Sequence, residues 1–170
     1  MLNKNQISTL IQNEKLIENF ISLDKQLTPN GFDLTAGGIF VFEDAGTLDF
    51  SNSQRVVPAA KEIKPARASN EDPYGWWELP KGAYKVKTNE IVNLPNDLAA
   101  LAFTRTSLLR MGVFTQHGVW DAGFRGKGEF ILIVGNDTGV RIKENARLAQ
   151  LVFFPVKETQ GYSGVYKNLA

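Results

Sequence analysis

From Phe32 onward the chain is a succession of short β-branched and aromatic runs, each cut within a few residues by Gly, Pro, Asn or Asp. Such runs fall at 38–42, 82–86, 90–94, 99–103, 113–115, 129–134, 140–142 and 148–154, and strands at these intervals predict a mainly β domain, a sandwich or barrel. Only the start reads otherwise. Ile7, Leu10, Ile11, Leu16, Ile17 and Phe20 recur with polar residues between them, which predicts one amphipathic helix over 5–20, within an N-terminal helical segment 1–22. Residues 44–74 are polar and hold Pro58, Pro65 and Pro73, the pattern of a long excursion with one hairpin. No internal repeat or low-complexity tract interrupts the chain.

Composition then limits the chemistry. At 170 residues, 43% of them hydrophobic, the chain suits a single domain over 1–170 with a self-sufficient core. A net charge of +1 offers no global attraction to nucleic acid or to a membrane, so anion binding has to come from local Arg and Lys. With no cysteine, the chain lacks disulfides, a thiolate nucleophile and the zinc type of nucleobase deamination. Its one histidine, His117, cannot build a multi-histidine metal site, which leaves a hard cation held by oxygens as the metal to expect. No apolar run approaches 18 residues and the first residues lack a signal-like apolar core, so a cytoplasmic location is expected.

Four clusters could carry chemistry, each with an ordinary structural alternative. Trp120-Asp121-Ala122-Gly123-Phe124-Arg125-Gly126-Lys127 combines an acid, an aromatic face and two glycines between apolar runs. Asp121 could act as a base and Phe124 could stack on a ligand, with Gly123 and Gly126 letting it come close; the same residues would also make a plain hairpin turn. Arg105-Thr106-Ser107-Leu108-Leu109-Arg110 packs two guanidiniums and two hydroxyls into six residues, as a polyphosphate requires, with charge-assisted bonds worth roughly 1.5–3 kcal/mol each. It would serve equally as a helix N-cap with surface arginines. In Arg147-Leu148-Ala149-Gln150, strand alternation sends Arg147 and Gln150 to opposite faces, where they meet ligand, partner or water. The tail around Tyr162, Tyr166 and Lys167 is glycine-punctuated; it is either loose or a flexible segment, 157–170, that closes over a site. Of Trp76 and Trp77, adjacent on a strand, one should enter the core and the other lie at its rim.

Taken in order, these segments resemble the trimeric dUTPase and dCTP deaminase superfamily, in its deaminase-like branch. The resemblance rests on residues 2–20 with Leu27-Thr28-Pro29-Asn30-Gly31-Phe32-Asp33-Leu34, on 79–82 through 94–100 into 105–113, on 118–126, on 147–150 and on 162–166. It implies a distorted β-barrel or jelly-roll subunit of a homotrimer, with active sites built between subunits. It also implies roles for residues. Asp121 would activate the water that attacks the α-phosphate of dUTP, releasing dUMP and pyrophosphate, with Mg²⁺ carried on the substrate phosphates and no direct protein ligand. Arg105, Thr106, Ser107, Arg110 and Gln150 would hold phosphates, and Phe124 would stack on the deoxyribose. The stretch from Thr115 through Gln116, His117 and Trp120 would read the base, and Tyr162, Tyr166 and Lys167 would close the site. Asp33 and Arg147 would be structural.

The reaction is chosen by one position. Deaminating members carry a proton-handling glutamate five residues beyond the second hairpin glycine, and here that place holds Ile131. Glu129 shares its face but lies about 6–7 Å away along a strand, too far for a substitute held to hydrogen-bond distance. A dUTP diphosphatase is therefore expected, with a dCTP deaminase, alone or bifunctional, and a non-catalytic nucleotide-binding protein as the alternatives. Three departures stand out. The glycine-rich, phenylalanine-bearing dUTPase tail is absent, Thr106 replaces the usual serine, and Gln116-His117 stand where the deaminase branch carries small residues.

Overall fold

The computed structural model of the chain describes residues 1–167; the last three residues of the tail segment 157–170 lie outside the described part. The helix is shorter than its apolar pattern suggests. Helix α1 (Lys4–Glu14) opens with a capping box in which Asn3 and Gln6 satisfy each other's backbone, and it stops at Lys15, which turns left-handed with φ 55°. Leu16 and Ile17 are still buried, but Ile17–Glu18 forms strand β1, so a shared apolar face conceals a change of structure. After α2 (Leu23–Gln26) and β2 (Leu27–Thr28) the chain is almost wholly strand and connection.

Three strands extend well beyond their predicted runs once paired. Strand β3 (Gly31–Phe42) starts seven residues before its predicted run. Strand β6 (Gly82–Asn93) absorbs both the 82–86 and 90–94 runs, because its inward positions Tyr84, Val86, Thr88, Glu90 and Val92 keep period two through the polar middle. Strand β9 (Arg125–Val134) continues inward alternation from the acid-bearing loop. The excursion holds β4 (Ala60–Glu62) and a bridge from Thr47 to Val56, as the predicted hairpin requires. Trp76–Leu79 forms β5, where Trp77 is buried and Trp76 lies at the rim under Arg141 and Lys143.

With β7 (Leu98–Thr104), α3 (Thr106–Leu109), β8 (Val113–Gln116), β10 (Val140–Lys143) and β11 (Arg147–Pro155), the main sheet runs β7-β11-β3-β6-β9-β8. Its two ends meet. Ala100 pairs with Trp120, and Thr104 Oγ1 bonds the backbone and hydroxyl of Thr115, so the sheet is a nearly closed barrel. One apolar cluster joins α1 to Phe32, Trp120 and Phe153, and a second surrounds Trp77, Phe130 and Leu132. Among the described residues no helix is long and apolar enough to cross a membrane.

Candidate active site

The acid-bearing segment is not a tight hairpin. Strands β8 and β9 pair from Val113↔Val134 to Gln116↔Ile131, so residues 117–124 form an eight-residue loop. Neighbouring backbone pins that loop: Trp120 exchanges both backbone bonds with Ala100 (3.0 and 2.9 Å), and Leu94 N–H donates to Phe124 O at 2.8 Å. The loop walls a cavity of about 400 Å³ together with Val57, Lys127, Glu129, Tyr162 and Tyr166. Asp121 lies on that wall, exposed, and its carboxylate makes no hydrogen bond among the described residues. Glu129, on the same wall, is engaged by Lys85 at 3.5 Å. Phe124 also lines the cavity, edge-on to the buried Trp120 ring at 5.2 Å.

Several base-reading candidates change character. Both backbone groups of Trp120 are taken by Ala100, and its ring lies where Gly128 leaves room for it, 2.4 Å from where a Cβ would stand. Thr115 is tied to Thr104. In this loop His117, Gly118 and Val119 are the residues with neither backbone group paired among the described residues. Gln116 lines a neighbouring hollow with Ile131, which also receives His117 and Glu129.

His117 is half-buried, its ring 4.4 Å from that of Phe130 and its Nε2 2.8 Å from Thr115 Oγ1, while its buried Nδ1 has no partner. Burial lowers its pKa to about 4, so it is neutral at pH 7. The native state then binds fewer protons than the unfolded chain between pH 6.5 and 4. Stability is complete above that window and is lost as pH falls through it, by about 3 kcal/mol at most. Urea midpoints at pH 7 and pH 4.5 should therefore separate strongly in the wild type and less in His117→Phe; an equal separation in both would place the acid sensitivity elsewhere.

The phosphate-binding candidates gather at a second hollow, lined by Thr28, Pro29, Asp33, Thr104, Arg105, Thr106, Ser107, Arg147 and Gln150. Its organiser is Asp33, only 2% exposed, which faces Arg105 Nε at 2.9 Å and Arg147 Nη1 at 3.2 Å. Burial raises the Asp33 pKa, and the two guanidiniums oppose that rise. Arg105 Nη1 donates to Arg147 O and Arg147 Nη1 to Lys25 O, so both arginines are held in fixed orientations. Asp33 and Arg147 are thus bound to each other within the hollow's wall, and Arg105 meets any ligand with one edge already committed.

Strand alternation would part Arg147 from Gln150. A β-bulge between Arg147 and Ala149 on β11 resets the register against β3, and both line this hollow. Gln150 Nε2 donates to Thr28 Oγ1 at 2.5 Å, a partner with no forecast in the sequence. Arg110, exposed at the far end of α3, is not brought into the group, and Lys167 lines neither space.

Behind the hollow lies a network that the sequence reading missed. Glu90, fully buried, accepts from Gln26 Nε2 (2.7 Å), Thr35 Oγ1 (2.5 Å) and Thr35 N–H (3.0 Å), and Gln26 also donates to Asp33 O. The signal was there: an acid at an inward position of the 84–92 alternation.

In one chain, then, an acid with no partner among the described residues, beside an aromatic ring, and a fixed arginine–hydroxyl cluster line separate hollows with no residue in common. A family model described as dCTP deaminase-like matches residues 1–156. The chain belongs to the dCTP deaminase-like family. Proteins similar to this family member include a probable deoxyuridine 5'-triphosphate nucleotidohydrolase of Methanosarcina acetivorans, 46% identical over 99% of this chain and 96% of the other. The deoxyuridine 5'-triphosphate nucleotidohydrolase of Methanocaldococcus jannaschii is 35% identical over 85% of this chain and 89% of its own. Among solved structures, 2'-deoxycytidine 5'-triphosphate deaminase from Agrobacterium tumefaciens superposes with a TM-score of 0.64 at 20% identity over 89% of this chain. This chain spans about half of that protein's length (46%), and the likeness is one of fold.

Proposed function

We propose that this dCTP deaminase-like family member hydrolyses dUTP to dUMP and pyrophosphate. The observation that carries the reading is Asp121, a carboxylate on the cavity wall with no partner among the described residues, whereas Asp33, Glu90 and Glu129 are each engaged. An acid so placed can orient a water and take its proton as the water oxygen attacks the α-phosphorus and the bond to the pyrophosphate oxygen breaks. Arg105, Thr106, Ser107 and Gln150 supply donors for the phosphate oxygens. Phe124 offers its face to the deoxyribose and leaves no room for a 2'-hydroxyl, and the free backbone at 117–119 meets the uracil edge. The names of the 46% and 35% identical relatives support the same substrate.

These two hollows belong to one reaction if a second copy brings its Arg105 cluster against the Asp121 cavity, which is the arrangement of a homotrimer with shared sites. Leu101 and Phe103 on β7 and Phe114 on β8 are exposed apolar residues suited to such a contact. A magnesium ion fits as a companion of the substrate. No cluster of three His, Asp or Glu exists among the described residues, and a hard ion keeping its waters would be carried by the substrate phosphates, where it would supply charge neutralisation. Asp121 and the arginines act on water and phosphate.

Deamination of dCTP is the second reading, favoured by the family description. Against it, Ile131 sits on β9 at the place where the family resemblance calls for a deaminase's glutamate, and Glu129 is turned to Lys85. Incubation with dUTP, dCTP, dTTP and UTP in Mg²⁺ should release pyrophosphate from dUTP alone. Ammonia from dCTP would overturn the assignment, and hydrolysis of UTP at the dUTP rate would contradict the role given to Phe124.

A further inference from the structure

The tail is expected from the sequence to be a flexible cover, yet its first part is built into the loop that bears Asp121. Residues 94–97 form a bracket that holds both. On one side Leu94 N–H donates to Phe124 O and Gly123 N–H donates to Pro95 O; on the other, Val156 N–H donates to Asp97 O at 2.8 Å and Thr159 N–H to Asn96 O at 3.2 Å. Tyr162 N–H then donates to Ala122 O at 2.7 Å, joining tail and loop directly.

Where the three segments converge only glycine fits. Gly123 (φ +78°) and Gly161 (φ +75°) face each other across Asn96 Oδ1. A Cβ on Gly123 would stand 2.7 Å from Gly161 Cα and 2.9 Å from Tyr162 N, and one on Gly161 would stand 2.5 Å from Asn96 Oδ1. The close approach that Gly123 permits is therefore to the tail backbone, where the sequence pattern pointed to a nucleotide. The Tyr162 ring is in turn fixed between Phe124, 5.9 Å away between ring centres, and Gly164, whose missing Cβ leaves room for the phenol.

Resting on the dUTP reading above, we propose that Tyr162 is a positioning residue: the glycine clasp docks it in its own chain's loop, and its ring backs Phe124 and fixes the face that Phe124 turns to the sugar. Phe124 is thereby held from two sides, by Trp120 at 5.2 Å and by Tyr162. A sugar gate excludes a 2'-hydroxyl only if it cannot recede, and two ring neighbours supply that stiffness. Packing does this work, so the phenol oxygen is dispensable.

Three variants test it with two readouts. Tyr162→Ala should lower the preference for dUTP over UTP by roughly 10-fold, chiefly through KM, while Tyr162→Phe restores it. Gly161→Val should behave like Tyr162→Ala. Independently of activity, the Tyr162 amide should exchange slowly with solvent in the wild type and fast in Gly161→Val. If Tyr162→Phe is as damaging as Tyr162→Ala, the hydroxyl touches substrate and the positioning role is overturned. Unchanged discrimination in Tyr162→Ala overturns it as well, and a rapidly exchanging wild-type amide refutes the clasp. Absence of dUTP turnover in the wild type would instead remove the functional reading, with the amide still deciding the clasp.

Discussion

Asp121→Asn should bind a non-hydrolysable dUTP analogue about as tightly as the wild type while losing roughly 10²–10⁴ in turnover. The two parts of that result have separate causes. The side chain is exposed and makes no bond among the described residues, so exchanging one carboxylate oxygen for an amide disturbs no internal contact and leaves the cavity walls in place. An amide, however, accepts no proton near neutral pH. Single-turnover hydrolysis alongside equilibrium binding measures both parts. Normal turnover in the variant would mean that some other group removes the proton.

The second large effect falls on stability and comes from a residue far from the water. Glu90→Gln should cost about 3 kcal/mol, read as a shift in the urea midpoint with an unchanged slope. All three neighbours of the carboxyl donate to it: Gln26 Nε2, Thr35 N–H and Thr35 Oγ1, which itself accepts from Asn89 Nδ2 at 2.9 Å. An ionised carboxylate satisfies this set, and those bonds oppose the rise in pKa that burial imposes. Glutamine would bring an NH₂ against donors and leave one of them unpaired. Because Gln26 also holds Asp33 O, the change should loosen the setting of Arg105 and weaken nucleotide binding too. Equal stability of the variant would show that the carboxyl is held neutral and already donates, since glutamine mimics that form.

How much could be read in advance depended on the range of the interaction. Alternation is local, so β7, β8 and β11 were legible almost to their ends, and so was the division of Trp76 and Trp77 between rim and core. Boundaries set by partners were not. The helical pattern ran past Lys15 because Leu16, just before β1, and Ile17, within it, stay buried, and β6 read as two strands because its Lys87-Thr88-Asn89 middle is polar although Thr88 points inward. The bulge that reunites Arg147 with Gln150 has no marker in the four residues themselves; it follows from pairing with β3. The same holds for Arg110, which shares a short segment with Arg105 but sits across a helical turn from the hollow.

By itself the sequence determined the mainly β architecture, the order of segments that marks the family, the acid at position 121 and the absence of one at 131. These are properties of residue type and spacing, and spacing survives folding. Only the tertiary structure decided which acids are free. Asp33, Glu90, Asp121 and Glu129 carry the same functional group, and their differences come from bonding partners distant in sequence: two arginines for the first, a buried glutamine and threonine for the second, none among the described residues for Asp121, and a lysine for the last. It decided likewise that Gly123 receives the tail backbone, because a clearance below 3 Å is set by the meeting of three segments and is written in none of them.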